Sequence, residues 1–525
     1  VGLKVALQGS KRRSSAAPLA GAAWPAINPS PDENGAMIDF VDMIFFHAAA
    51  NPEKPAVVTS EAVLSYGMLR RGILSAQQQL RKHGLKPGDR AGVEVINAIG
   101  HMTLICALHR EGIASVSIDR PMVDSVDETP IDALLTNAPV AGKATRMIPV
   151  DETWFNATPE TEPGPNLAQQ RDGDGLCRLI LSSGTTGRPK VIALSFAAAQ
   201  ERLVSYSIRM SSPSWDRIVC MPGLSTNYGY SFAITTLWLG RTICFGYDSA
   251  VRELIIAYQA EMLVASTQQI AEMTKFQEDR FRRFDSLRSV HIGGAVAYAP
   301  LSARIRMLIC STLFCGYGST EGGTIAYAPA ESIFGMDRAV GVVVPWVEVE
   351  VVDDQKNPVE YGQPGEIRLR SLGQGYRYQK SPAGDYEMEH AEWFYPGDLG
   401  MLFRNGMMVI SGRVNEIINR GGMKISPEKI EEEFKKHPGI DDVAAVGILD
   451  NFGLEQIWVA VTARGGGDIE ISQMFDYCRK VLPLHVPDRI FQTKEIPRNR
   501  LGKVSREDLK EHLKKLEESH ALAVR

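Results

Sequence analysis

Helix-like and strand-like segments alternate from about Ile38 to about residue 320. This alternation restricts the chain to α/β layers built on largely parallel sheets. Tyr66 to Leu80 reads as a helix, Leu85-Lys86-Pro87-Gly88-Asp89 as a turn, and Ala91 to Ile96 as a buried strand. From Val340 to Leu369 the texture changes to strands split by tight turns, Asp353-Asp354-Gln355-Lys356-Asn357-Pro358 and Gly362-Gln363-Pro364-Gly365, which implies a smaller β-rich subdomain. After Gly412 it changes again. Ser426 and Pro427 open a helix, with Glu428 and Glu431 near its positive end and Ile430 and Phe434 on one face. Strands over 443–448 and 458–462 follow, then a helix near 472–481. Ser505-Arg506-Glu507-Asp508 resembles a capping box for a last helix carrying Leu509, Leu513 and Leu516. The expected fold is a large N-terminal domain of layered α/β subdomains plus a β-rich subdomain, over 36–412, and a small mobile α+β C-terminal domain over 416–525.

A chain of 525 residues suggests about two to four core-forming units. The net charge of −5 argues against a nucleic-acid binder held by a broad basic surface. Small polyanions need only a local positive site. Cys106, Cys177, Cys220, Cys244, Cys310, Cys315 and Cys478 form no CxxC pair and mostly sit in apolar runs, so they read as reduced thiols of a cytoplasmic protein. No apolar stretch approaches the length of a membrane span. Residues 1–35, rich in Ala, Ser, Gly and Pro, read as a disordered tail with no catalytic role.

The densest local signal is Leu181-Ser182-Ser183-Gly184-Thr185-Thr186-Gly187-Arg188-Pro189-Lys190, after the apolar run Leu179-Ile180-Leu181. Glycines let backbone approach an anion, hydroxyls and N–H groups donate to phosphate oxygens, and Lys190 adds a point charge. The order of residues is not that of a Walker A loop.

This stretch closely resembles the phosphate loop of the superfamily of acyl-CoA synthetases, peptide-synthetase adenylation domains and luciferases. The resemblance runs from about residue 40 to residue 515, with further motifs in the expected order. Gly316-Tyr317-Gly318-Ser319-Thr320-Glu321 is similar to the family's Tyr-Gly-x-Thr-Glu motif. The resemblance implies that Tyr317 stacks on adenine, Thr320 contacts a phosphate and Glu321 helps bind Mg²⁺. Gly293-Gly294-Ala295 resembles the segment lining the adenine and acyl pockets, and His291 on the same strand reads as packing. Asp398 and Arg413 match the ribose ligands, with Pro396 where the family usually has Thr. The hinge position, usually Asp or Lys, is Asn415, within a hinge at 413–415. Gly421, Gly422 and Lys424 resemble the loop that helps form the pantetheine tunnel; Lys424 is either a CoA-phosphate contact or an ordinary surface lysine. Pro497 to Val504 resembles the C-terminal lysine motif, in which Lys503 stabilises the reacting carboxylate and α-phosphate.

The implied activity is ATP- and Mg²⁺-dependent conversion of a carboxylic acid to its acyl-AMP, then transfer to coenzyme A. An acyl-carrier protein is the alternative acceptor. Both reactants are anions, so the chemistry needs fixed positive charge and no histidine base. Residues 221–240 lack the Asp by which peptide-synthetase domains usually hold an amino acid's ammonium, and Thr226 or a neighbour stands where many members have His. Tyr228, Tyr230, Ser231 and Gly294 are expected to line the acid pocket and fit an aryl or a medium-chain acid. A non-catalytic nucleotide-binding relative would lack Lys503, Glu321 or Asp398, and all three are present. The expected state is monomer or homodimer, with no nucleic acid and no membrane span.

Overall fold

The computed structural model describes residues 39–119, 129–138, 146–156, 173–182, 190–210, 215–247, 249–277, 284–294, 299–333, 335–336, 338–380, 386–389, 391–414, 418–421, 423–425, 427–497, 504 and 506–523. Among these, strands form sheets of thirteen, eight, three and two. The tail 1–35 lies outside the described residues.

In the largest sheet, Pro55–Val58, Thr242–Phe245, Arg217–Cys220, Met262–Ser266, Ser289–Gly293 and Leu313–Ser319 lie side by side and parallel. These are short apolar runs; Met262, Leu263, Val264 and Ala265 are all fully buried. Helices connect most of them, and such crossovers return the chain in the same direction. Beyond Leu313–Ser319 the links include tight turns, so direction alternates. Gly323–Pro329, Ala339–Val343, Met407–Arg413, Asp398–Leu402, Gly365–Ser371 and Val347–Val352 continue the same sheet antiparallel. The β-rich segment therefore extends the parallel sheet.

In the eight-stranded sheet Arg90–Glu94 runs between Ala114–Ser117 and Ala133–Thr136, parallel to both. Helix Tyr66–Lys82 packs Leu69, Ile73, Ala76 and Leu80 fully buried, and the Ser65 hydroxyl caps it by accepting from the Met68 N–H. The strand expected over Ala91 to Ile96 is shorter: it ends at Glu94, and Ile96 is 74% exposed. Asn97 stops it by capping helix Ala98–Arg110, accepting from the Ile99 N–H at 2.8 Å.

The C-terminal domain is small and α+β. Ile440–Leu449 pairs with Glu455–Ala463, which pairs with Arg489–Gln492. Both faces of this sheet are covered. Val443 and Ala445 pack with Ile430, Phe434, Met474 and Cys478, while Ala444, Val446 and Ile448 pack with Leu509 and Leu513. Arg506 donates to Glu431 at 2.9 Å, tying the last helix to helix Pro427–Lys435. All seven cysteines are buried thiols outside any disulfide. Among the described residues no helix is long and apolar enough to cross a membrane.

Candidate active site

Gly293, the last residue of its strand, and Gly316, midway along the next, are register partners on adjacent parallel strands. Their missing side chains let the Tyr228 and Tyr327 rings close onto the backbone. A Cβ on Gly293 would stand 3.2 Å from the Tyr228 ring. Gly294 follows at φ 95°, a conformation that favours glycine, and is exposed. Edges of parallel sheets with such turns are where α/β proteins bind ligands.

One strand on, the Tyr317 hydroxyl donates to the Asp398 carboxylate at 2.5 Å. Asp398 is buried at the start of its strand and is the direct register partner of Arg413. Two residues 15 positions apart in sequence are thus opposite each other on neighbouring strands, beside Tyr317.

The Thr320-Glu321-Gly322 turn joins Leu313–Ser319 to Gly323–Pro329. A side chain at Gly318 would strike the Gly323 carbonyl at 2.2 Å, so the hairpin demands glycine there. The turn is held from outside. Arg202, buried on helix Phe196–Met210, donates to the Thr320 carbonyl at 2.9 Å and the Glu321 carbonyl at 2.6 Å. The Gly375 N–H also donates to the Glu321 carbonyl, at 2.7 Å. The same guanidinium reaches the Gly373 carbonyl at 2.6 Å and the Asn227 side-chain oxygen at 3.0 Å. Burial lowers Arg202 to about 10, against the through-space pull of Tyr206, Glu321 and Tyr230, so it stays charged at neutral pH. Sequence reasoning missed Arg202; its one signal is a cation in register with the buried Ala198 and Tyr206 of the same helix.

Thr226 is the N-cap of helix Asn227–Trp238: its hydroxyl accepts from the Gly229 N–H at 3.0 Å and donates to the Gly223 carbonyl. The four expected pocket residues do not form one wall. Tyr228 lies against Gly293, beside Gly294, and packs edge-on against Phe232. Tyr230, two residues on, projects from another face of the same helix, about 200° away in helical phase, and shares its surroundings with Ser231. They line a cavity of about 30 Å³ shared with Asp39, His109, Gln200 and Arg202. The Tyr230 ring lies 3.8 Å from the guanidinium of Arg178. Arg178 is 1% exposed and donates to Ser115, Ser117 and the Leu224 carbonyl. A lone arginine in the apolar strand Leu176–Ser182 was its legible signal, and it went unread.

His291 is 1% exposed, hydrogen-bonded to Tyr327 and Ser289 and stacked on Phe314, which is a packing role. Ser182 and Lys190 are brought opposite each other across an antiparallel pair. The loop residues Ser183, Gly184, Thr185, Thr186 and Gly187 between them lie outside the described residues, as do Ala295, Asn415, Gly422 and Lys503. Gly421, at φ 60°, sits against Gln268: a Cβ there would come within 2.4 Å of the Gln268 Cβ. Lys424 follows on strand Met423–Ile425. Among the described residues no group of three or more His, Cys, Asp or Glu could hold a metal ion. Glu321, half-buried at its turn, suits a hard cation shared with phosphate oxygens, the usual manner of Mg²⁺.

The AMP-binding enzyme family matches residues 44–378, and the AMP-binding enzyme C-terminal domain matches residues 429–503. Pyochelin synthase PchD of Pseudomonas aeruginosa is 26% identical, over 92% of this chain and 94% of its own length. Feruloyl-CoA synthase of an Amycolatopsis species is 25% identical, over 87% and 95%. Among solved structures, an o-succinylbenzoate CoA synthetase double mutant from Bacillus subtilis, bound with a product analogue, superposes with a TM-score of 0.76. It is 22% identical and covers 90% of this chain and 98% of that one.

Proposed function

The chain belongs to the AMP-binding enzymes, and from that premise we propose that it activates a carboxylic acid as its acyl-AMP, with release of pyrophosphate, and passes the acyl group to the thiol of coenzyme A. The observation that carries the reading is the grouping on neighbouring strands of the Gly293–Gly316 register pair, the Tyr317–Asp398 pair and the clamped Glu321 turn.

In this reading the adenine and the start of the acyl group pass beside the exposed Gly294. Tyr317 stacks on the base, and Asp398 with Arg413 holds the ribose hydroxyls. Tyr228 bounds the acid beside Gly294. The acid carboxylate attacks the α-phosphorus of ATP in line with the departing pyrophosphate. Two anions approach each other, so fixed positive charge does most of the work. Lys190, Lys503 and the N–H and hydroxyl groups of residues 182–187 supply it, and Thr320 meets a phosphate oxygen. Mg²⁺ held by Glu321 and the phosphates would neutralise part of the remaining charge. No proton leaves the acid, which is ionised at neutral pH.

Transfer then needs a thiol at the acyl carbonyl. The small domain turns about Asn415, Lys503 leaves, and the Gly421-Gly422 loop lines the thiol's path with Lys424 toward the CoA phosphates. The contact of Gly421 with Gln268 supports a glycine loop that can press on the large domain.

Pyrophosphate release with a panel of aryl and medium-chain acids, with and without CoA, tests this reading. Acid-dependent release and a CoA thioester are expected. Release with no thioester moves the acceptor to a carrier-protein phosphopantetheine or another nucleophile. No release with any acid overturns the reading in favour of a nucleotide binder.

A further inference from the structure

Arg202 contacts three separate parts of the site. Its Nη2 bonds the Thr320 and Glu321 carbonyls, its Nε the Gly373 carbonyl, and its Nη1 the Asn227 side chain. Thr320 and Glu321 belong to the turn proposed to meet phosphate and Mg²⁺. Asn227 opens the helix whose next residue, Tyr228, lies on Gly293. Gly323, at φ 67°, faces the guanidinium, and a Cβ there would stand 3.6 Å from Nε.

All four acceptors are neutral: three carbonyls and one amide oxygen. Among its described hydrogen-bond partners there is no carboxylate. Burying a guanidinium without a contacting anion is costly, and a lysine could not reach four acceptors in a planar fork. The arrangement satisfies geometry while leaving the positive charge uncancelled by direct contact, beside a turn on which anions are to gather.

Resting on the proposed adenylation, we propose that Arg202 is a positioning residue that locks the acid side of the site to its nucleotide side and keeps a positive charge, contacted by no carboxylate among its described hydrogen-bond partners, behind the Thr320–Glu321 turn. The two parts separate experimentally. Asn227→Asp preserves shape and the bond to Arg202 but adds a contacting anion, at a helix N-terminus where a carboxylate is favoured. Arg202→Lys keeps the charge and loses the fork.

The test uses the full chain with two readouts. One is calorimetric affinity for Mg²⁺ with the α,β-methylene analogue of ATP, which needs no acid. The other is kcat and KM for pyrophosphate release with the best acid of the panel. Asn227→Asp is expected to melt at or above the wild-type temperature, to bind the analogue several-fold more weakly, and to lose about tenfold in kcat. Arg202→Lys is expected to lose about tenfold in kcat with KM for ATP changed less than about threefold, the mark of a contact that matters in the transition state. Wild-type analogue affinity and wild-type kcat in Asn227→Asp would overturn the charge role. Lowered melting with unchanged kinetics in Arg202→Lys would reduce Arg202 to a structural residue. If the wild type binds the analogue but turns over no acid, the adenylation reading fails, and analogue affinity in Asn227→Asp still decides for or against the charge role of Arg202: weakened binding supports it and wild-type binding overturns it.

Discussion

The nucleotide side and the acid side of the candidate site lie on neighbouring elements, yet they differ in what fixes them. On the nucleotide side the constraints are backbone constraints. Gly318 must be glycine because a carbonyl occupies the place of its side chain, and Asp398 faces Arg413 because two strands pair in register. On the acid side the constraint is helical phase. Tyr228 and Tyr230 are two residues apart, and one rests on Gly293 while the other rests on a buried arginine. A backbone constraint leaves a string of residues that reads directly. A phase constraint is invisible until the neighbours of the helix are known.

The largest effect should come from the nucleotide side. Lys503→Ala is expected to lower kcat for pyrophosphate release by about 2.7–4 kcal/mol of barrier, the size of a lost oxyanion donor. Thioester formation from pre-made acyl-AMP should survive. Retained pyrophosphate exchange in that variant would break the assignment. Asp398→Ala should follow, because it leaves Tyr317 without its carboxylate partner and removes the proposed ribose acceptor. A rise in KM for ATP of about tenfold or more is expected, with the ranking of acids unchanged.

The acid side separates the two tyrosines. Tyr228→Ala opens space against Gly293 and should shift preference toward bulkier acids, by about 1–3 kcal/mol between the best and second-best acid. Tyr230→Leu should leave that ranking alone and lower thermal stability instead, since it removes the ring beside Arg178; about 1–2 kcal/mol is expected from a denaturant midpoint. A change of acid ranking in Tyr230→Leu would return both tyrosines to one wall and undo the comparison.

How much was legible follows the same division. The α/β alternation, the β-rich stretch and the small C-terminal domain were read from apolar periodicity. The strand over 90–94 was overrun because nothing in Val95-Ile96 signals a stop; Asn97 stops it by capping the next helix. The motif residues Gly318, Asp398 and Arg413 were legible as a string, while the hairpin and the strand register that place them were not. Arg202 and Arg178 were missed because a single cation in an apolar pattern looks like a solvated residue. Only the surrounding carbonyls and hydroxyls make burial tolerable. Thr226, which with its neighbours stands where many family members have His, caps a helix with its hydroxyl.

The smallest expected effect lies in the buried cavity that Arg202 and Tyr230 share with His109. His109 is buried against Asp39 at 3.2 Å and touches Cys177. Burial pulls its imidazolium down, but Asp39 and then Cys177 more than offset this and push it up to about 9. A raised folded value means the pair's contribution is complete below the unfolded value of 6.5 and fades as pH rises through about 9. Melting temperature should therefore fall between those values, and by less in His109→Gln. An equal fall in both would mean that another group is responsible.

The central claim is that the acid carboxylate attacks the α-phosphorus of ATP. Its most direct test uses an acid labelled with oxygen-18 in the carboxylate, with mass spectrometry of the AMP released after transfer to the thiol. The mechanism predicts one labelled oxygen in each AMP. Unlabelled AMP, or ADP in its place, would contradict it.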